Sequence, residues 1–190
     1  MSRAGAATRA RVVESAMERM RRQGVGATSM LDAIADAGAS RGSLYHYFPG
    51  GRAQLIEEAT ALAVQEYTDA FSLIVELDAE QALPLVVEYW RIKVAESDFE
   101  AGCAVAAAAL GGSDIAAARA KAGEAFTSWI GMIEQVLRNS GVPADRIPSV
   151  ATLALSAIEG AVVIGLAHRS VEPMEQIAVE LLELVRALRA

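Results

Sequence analysis

The chain has one cysteine, Cys103, in 190 residues. No internal disulfide can form, which excludes a disulfide-stapled secreted fold and suits a reducing compartment. Aromatic residues are scarce, at 5%, and alternating apolar and polar runs joined by hairpin turns are nearly absent, so little room is left for strands. Histidine occurs only at His46 and His168. With no Ser-His-Asp set, no metal-ligand spacing and no phosphate-binding glycine loop, acid–base and metal-assisted chemistry have no visible machinery. The expectation is a protein that is not an enzyme and uses no metal and no cofactor.

Long uninterrupted hydrophobic runs are missing as well. Residues 150–168 approach the length of a membrane span, but Ser156, Glu159, Gly160 and Gly165 interrupt them. A carboxylate at mid-bilayer would be costly, and no basic flank follows the positive-inside pattern. The segment reads as a fully buried helix of a bundle, with no membrane partner. Arg3, Arg9 and Arg11 are followed by no apolar stretch of signal-peptide type, so the chain is expected in the cytoplasm.

What is abundant is alanine, leucine and valine within a 53% hydrophobic composition, which favours packed helices. Helical periodicity predicts a first helix over 8–23, with Val12, Val13, Ala16, Met17 and Met20 as its apolar stripe and Gly24 as its stop. A second, short helix starts at Ser29, with Asp32 three residues on as in a capping box, and Leu31, Ile34 and Ala35 turned inward. It stops at Ala37-Gly38, and Ser40 caps a third helix over 41–48 that Pro49-Gly50-Gly51 ends. Longer helices are read at 52–76, 80–96, 102–110, 115–139, 148–168 and 173–188. The whole is an all-α chain with a three-helix helix-turn-helix domain at 1–51 and a helical bundle at 52–190.

The net charge of −7 is unevenly placed. Residues 1–56 hold eight arginines against four acids, a balance of +4, while the remainder holds nine basic and twenty acidic residues, a balance of −11. A basic end on an acidic body is what a protein docking one end on phosphates would show.

On a helical wheel the third helix puts Leu44 and Phe48 on one face, toward the first two helices. Gly42, Ser43 and His46 lie opposite, Tyr45 and Tyr47 project to the flanks, and Arg41 sits in the first turn. Small residues let such a helix approach base edges in a major groove, where Arg41 can read guanine bidentately and Ser43 or His46 can bond a base or phosphate. The tyrosine hydroxyls would reach phosphates on the groove walls. Thr28 offers a hydroxyl and free N–H groups to another phosphate, and Arg52 adds a charge contact just beyond the turn. The expected DNA-binding set is Thr28, Ser40, Arg41, Gly42, Ser43, Tyr45, His46, Tyr47 and Arg52.

The run Thr28-Ser29-Met30, then Ile34-Ala35-Asp36-Ala37-Gly38-Ala39-Ser40-Arg41-Gly42-Ser43-Leu44-Tyr45-His46-Tyr47-Phe48, resembles the DNA-binding domain of the TetR family of repressors. The resemblance covers residues 8–58. It implies a fold of about nine helices, a homodimer joined by the last two long helices, a pseudo-palindromic double-stranded DNA operator, and release from DNA when a small hydrophobic effector binds the C-terminal domain. Phe48-Pro49-Gly50-Gly51-Arg52 and Phe99-Glu100-Ala101-Gly102-Cys103-Ala104-Val105-Ala106 are similar to the branch with an LmrA/YxaF-like C-terminal domain. That branch usually has lysine where Arg52 stands and proline where Ala104 stands.

Helical sensor domains leave a cavity among their helices. The residues expected to line it are Tyr67, Phe71, Tyr89, Trp90, Lys93, Phe99, Cys103, Phe126, Trp129, Met132, Ile133 and Glu159. Glu159 is either a polar anchor in that cavity or the partner of an arginine at a dimer seam. Cys103, at a helix start that would lower its pKa, is either a redox sensor or a packing residue. Leu153, Leu155, Ile158, Val162, Val163 and Leu166, with Ile177, Leu181, Leu184, Val185 and Leu188, are too apolar for an open surface. Paired across a two-fold axis they would form a four-helix interface, with Gly160 and Gly165 permitting close approach.

Overall fold

The computed structural model describes residues 3–189, and every side chain among them except that of Leu44. Among the described residues there are nine α-helices and no strand. They are α1 (Arg3–Ala27), α2 (Met30–Asp36), α3 (Leu44–Tyr47), α4 (Gly51–Ser72), α5 (Ala79–Glu96), α6 (Ala104–Ala109), α7 (Ala116–Asn139), α8 (Ile147–His168) and α9 (Glu172–Arg189).

The boundaries follow from local chemistry. Gly24 interrupts α1 with φ 74°, a left-handed conformation that glycine adopts at little cost. Ser29 caps α2, its hydroxyl oxygen accepting the Asp32 N–H at 3.4 Å. Gly38, at φ 66°, ends that helix. The single third helix expected over 41–48 is divided. Arg41–Ser43 form a 3-10 turn before α3, because the Ser43 N–H donates three residues back to the Ser40 carbonyl at 3.1 Å. Asp78 caps α5 through the Gln81 N–H, and Cys103 caps α6.

Two compact units result: residues up to Glu66 with Cys103–Ala125, and Tyr67–Gly102 with Phe126 onward. The division at 51/52 coincides with neither edge. Leu55, Ile56 and Ala59 of α4 are fully buried with the first unit's core, and the unit also takes in α6 and the start of α7. In that core Val12, Val13, Ala16, Met17 and Met20 of α1 are buried as their periodicity predicts, with Ala33, Ile34 and Phe48. Ala33 and Ile34 form the inner face of α2, whereas Leu31 and Ala35 point to solvent.

In the second unit a cluster joins Ala79 and Ala82 of α5, Val136 and Leu137 of α7, Val150 and Ala151 of α8, and Val185 of α9. Helix α8 is long and apolar enough to cross a membrane by composition alone. It is not the fully buried helix its composition suggests. Val150, Ala151, Ala161, Val162 and Gly165 are covered, but Leu153, Val163 and Ile164 are about half exposed or more. The reason is one-sided packing, chiefly against α9 and α5. Gly165 is needed within the chain, since a Cβ there would come 2.8 Å from the Ser170 carbonyl oxygen. Gly160 faces open space.

Candidate functional site

The reader is small, and its mounting explains its shape. Phe48 is 1% exposed and anchors the end of α3 in the first unit's core. Arg9 of α1 lies over its ring, 4.9 Å from the centroid. The same guanidinium donates to the Tyr47 carbonyl at 3.2 Å and pairs with Glu58 of α4 at 2.6 Å. One side chain thus ties α1, α3 and α4 together. The Ser40 and Ser43 hydroxyls bond each other at 2.9 Å, closing the turn before the reader.

On that mount the outer surface is open. Tyr45 is 74% exposed. Ser40, Arg41, Gly42 and His46 are exposed, and Ser43 and Tyr47 are half-buried. Arg41 makes no hydrogen bond or ion pair among the described residues, and a Cβ on Gly42 would meet nothing. His46 and Tyr47 rest ring on ring at 5.7 Å. The inward packing expected of Leu44 lies outside the described side chains.

Two expected phosphate contacts are used internally instead. Thr28 is 1% exposed. Its hydroxyl donates to the Gly24 carbonyl at 2.9 Å and its N–H to Val25 at 3.0 Å, so it closes the turn broken by Gly24 rather than offering free donors. Arg52 donates to the Thr28 carbonyl at 3.0 Å, to the Val25 carbonyl, and to Asp114 at 2.7 Å. It fastens α4 to the α1–α2 turn and to the 3-10 turn Ser113–Ile115 that leads into α7. The guanidinium fork is spent on those acceptors.

The second unit contains an apolar cavity with about 590 Å³ of unfilled space, part of it open to solvent. Of the residues expected to line it, Tyr67, Phe71, Trp90, Trp129, Met132, Ile133 and Glu159 do so. Tyr89, Lys93, Phe99, Cys103 and Phe126 do not. Tyr89 stands behind the wall, 5.2 Å from Phe71 and 5.5 Å from Trp90. Lys93 lies over the Tyr89 ring, and Phe126 packs on Trp129. Phe99 has a left-handed backbone, φ 59°, beneath the Arg169 guanidinium, which also pairs with Asp98 at 2.7 Å. Cys103 belongs to the first unit, buried, its sulfur accepting the Ala106 N–H. Ile74, Val75, Val86, Val136, Leu155 and Ile158 complete the lining. Five of the lining residues are shared with an adjoining apolar cavity of about 540 Å³ between α5, α7, α8 and α9. Leu155 and Ile158, expected at the dimer interface, thus line the cavity, and the other aliphatic residues carry no local signal separating them from core.

The arrangement pairs an exposed helix-turn-helix reader with an apolar chamber. Residues 12–59 match the profile of the bacterial regulatory proteins of the tetR family, and residues 79–180 match that of the LmrA/YxaF-like transcriptional regulator C-terminal domain. The chain belongs to the TetR family. It is a helix-turn-helix transcriptional regulator of the kind that binds operator DNA, not an enzyme. A helix-turn-helix regulator of Mycobacterium tuberculosis, Rv0196, is 34% identical over 188 residues, covering 94% of each chain. The regulator LmrA of Bacillus subtilis is 25% identical, over 90% of this chain and 93% of its own. Among solved structures, a TetR regulator of Agrobacterium tumefaciens superposes with a TM-score of 0.79 at 16% identity, covering 98% of this chain and 100% of its own. The TetR regulatory protein of Rhodobacter sphaeroides gives 0.78 at 19%, covering 90% and 95%. At those identities the likeness is one of fold.

Proposed function

We propose that the protein is a cytoplasmic repressor that binds a pseudo-palindromic operator as a homodimer and leaves it when a small hydrophobic effector enters the second unit's cavity. The observation that carries the DNA half is the contrast within one turn of chain. Phe48 is locked in the core, while Tyr45, Arg41 and Gly42 in the same short segment are exposed. Exposing a tyrosine and an arginine on a rigid mount has no folding benefit and fits groove recognition. Thr28 and Arg52 then act by holding the reader rather than by touching phosphate.

The dimer reading rests on α8 and α9. Leu153, Val163, Ile164 and Val179 are exposed, and a surface groove between the helices is lined by Ala157, Gly160, Ala161 and Ile164 facing Pro173, Gln176 and Ile177. A second copy across a two-fold axis would cover this stripe. The effector reading rests on the cavity, whose apolar, ring-rich walls lie among the helices of a bundle, where small-molecule sites commonly form. Helices α4 and α7 each contribute residues to both compact units. An effector that favours one arrangement of those helices shifts the DNA-binding equilibrium by its differential affinity for the two states.

The test is a salt-dependent mobility shift on DNA flanking the protein's own gene. Tyr45→Phe, which removes one hydroxyl, weakens binding to every sequence by about three- to tenfold, the effect of one hydrogen bond. Arg41→Gln changes which operator sequence is preferred. Equal loss on all sequences for Arg41→Gln would reject its base-reading role, and no salt-sensitive binding to any fragment would reject the repressor itself.

A further inference from the structure

The ring-lined cavity adjoins the second one, and the two differ in chemistry. Tyr67, Phe71, Trp90 and Trp129 line only the first. These rings are mutually braced: Tyr67 lies 5.6 Å from Trp90 and 6.0 Å from Trp129. The Trp129 indole N–H donates to the Thr68 hydroxyl at 3.0 Å. Glu159 also borders the first cavity alone and is engaged within the protein. The second cavity is lined, on its own side, by Ala79, Ala82 and Leu83 of α5, Ala154 of α8, and Leu181 and Val185 of α9. Among the described residues, no aromatic, polar or charged side chain contributes to its lining.

The boundary between the two is aliphatic as well. Ile74, Val86, Ile133, Val136 and Ile158 line both cavities. All five are β-branched, and four of them stand on α5, α7 and α8, where a helix holds the first side-chain torsion of valine and isoleucine almost wholly to one rotamer. Walls of this kind turn aside little, so a slender chain passes between them more readily than a branched one.

Each cavity favours a different part of a molecule. Rings meeting rings edge to face or offset gain more than buried area alone supplies, which places an aromatic group in the first cavity. The second offers only contact with hydrocarbon, and a polar group entering it would lose its hydration without finding a partner. Each methylene that leaves water for such surroundings tightens binding by about fourfold.

We infer that the second cavity is a subsite for an unbranched saturated chain, carried by an effector whose aromatic part lies among the rings of the first. This rests on the sensing role proposed for the first cavity and names the ligand class within it. The class is an alkyl-substituted aromatic molecule whose chain ends in no charge or polar group.

The isomers 4-n-octylphenol and 4-tert-octylphenol, both uncharged at neutral pH, share ring and carbon number and differ in the width of the chain. N-phenyl-1-naphthylamine carries rings and no chain, and serves as a probe of the first cavity alone. Binding to the intact protein is followed by calorimetry. The linear isomer binds the wild type at least about tenfold more tightly than the branched one, the gain from two methylenes reaching the second cavity. Ala154→Leu, which takes up space in the second cavity only, brings the isomers close to parity. If the naphthylamine binds but the isomers bind equally or not at all, or if their ratio survives Ala154→Leu, the chain subsite is rejected and the first cavity stands as a site for rings. If none of the three binds the wild type, the sensing cavity is rejected and the inference goes with it. Should Ala154→Leu fail to fold, the wild-type ratio alone decides the matter.

Discussion

In the unit that carries the reader, arginines reach from one helix to the next: Arg9 to the Tyr47 carbonyl and Glu58, Arg11 to the Ala37 carbonyl, Arg19 to Asp32 and Asp36, Arg52 to Val25, Thr28 and Asp114. In the unit that carries the cavity, rings meet edge to face, and the polar ties gather at helix ends. There Asn139 donates to the Val75 and Leu77 carbonyls, Ser140 accepts the Ala79 N–H, and Arg186 and Arg189 hold Glu80. The difference matches the two tasks. Hydrogen bonds to backbone carbonyls are directional and hold a reader in register. Apolar contacts are not directional, and walls made from them can leave room for a guest.

The largest effect expected from breaking this contrast is at Phe48. Phe48→Ala removes a fully buried ring and the surface on which Arg9 lies. It should cost about 3–5 kcal/mol, read by chemical denaturation, and abolish operator binding at a protein concentration that saturates the wild type. A loss below about 1 kcal/mol would mean that the reader is held by its polar ties alone.

An intermediate effect tests whether the two interiors differ in fullness. Ala33 of α2 has no exposed surface, so Ala33→Leu overpacks the first unit and should cost about 1–3 kcal/mol. Ile158 borders both cavities of the second unit. Ile158→Phe adds similar bulk where space is already open, and should change stability by less than about 1 kcal/mol while weakening binding of N-phenyl-1-naphthylamine. Equal penalties at the two positions would show that the cavity is filled by side-chain motion in solution.

These two interiors were not equally legible in the sequence. The helices were, because their apolar stripes, Gly24, Gly38 and Ser29 are local signals. The exposed reader was also accessible, since Tyr45 and Arg41 follow from the wheel once Phe48 is placed inward. The inward roles of Thr28 and Arg52 carry no local signal: most of their acceptors are backbone carbonyls, at Gly24, Val25 and Thr28, which every residue has, and the remaining one, Asp114, lies far along the chain from Arg52. Half of the basic balance of the first 56 residues is likewise internal, as Glu58 and Asp114, both beyond that stretch, neutralise Arg9 and Arg52. In the cavity, large aromatics and Glu159 stand out by type. Ile74, Val86, Leu155 and Ile158 do not, because an aliphatic residue beside a void has the same local pattern as one in a filled core.

The smallest expected effect tests the polar ties themselves, through Asp36. The hydrogen bond from Arg19 at 2.7 Å, seconded by that from Ser15 at 3.0 Å, holds the Asp36 carboxyl below its ordinary range. A carboxyl depressed in the folded state adds stability that is complete above the unfolded value, about 3.9, and is lost as pH falls through the folded value. Asp36 is half exposed, so water screens the pair and its worth is below about 1 kcal/mol. Asp36→Asn should therefore lower the urea midpoint slightly at pH 7, and the gap to wild type should close as the pH is lowered through the folded value of the carboxyl. A gap of constant size across that range would assign the effect to packing at the α1–α2 contact, and the directional tie that distinguishes this unit would then be one fewer.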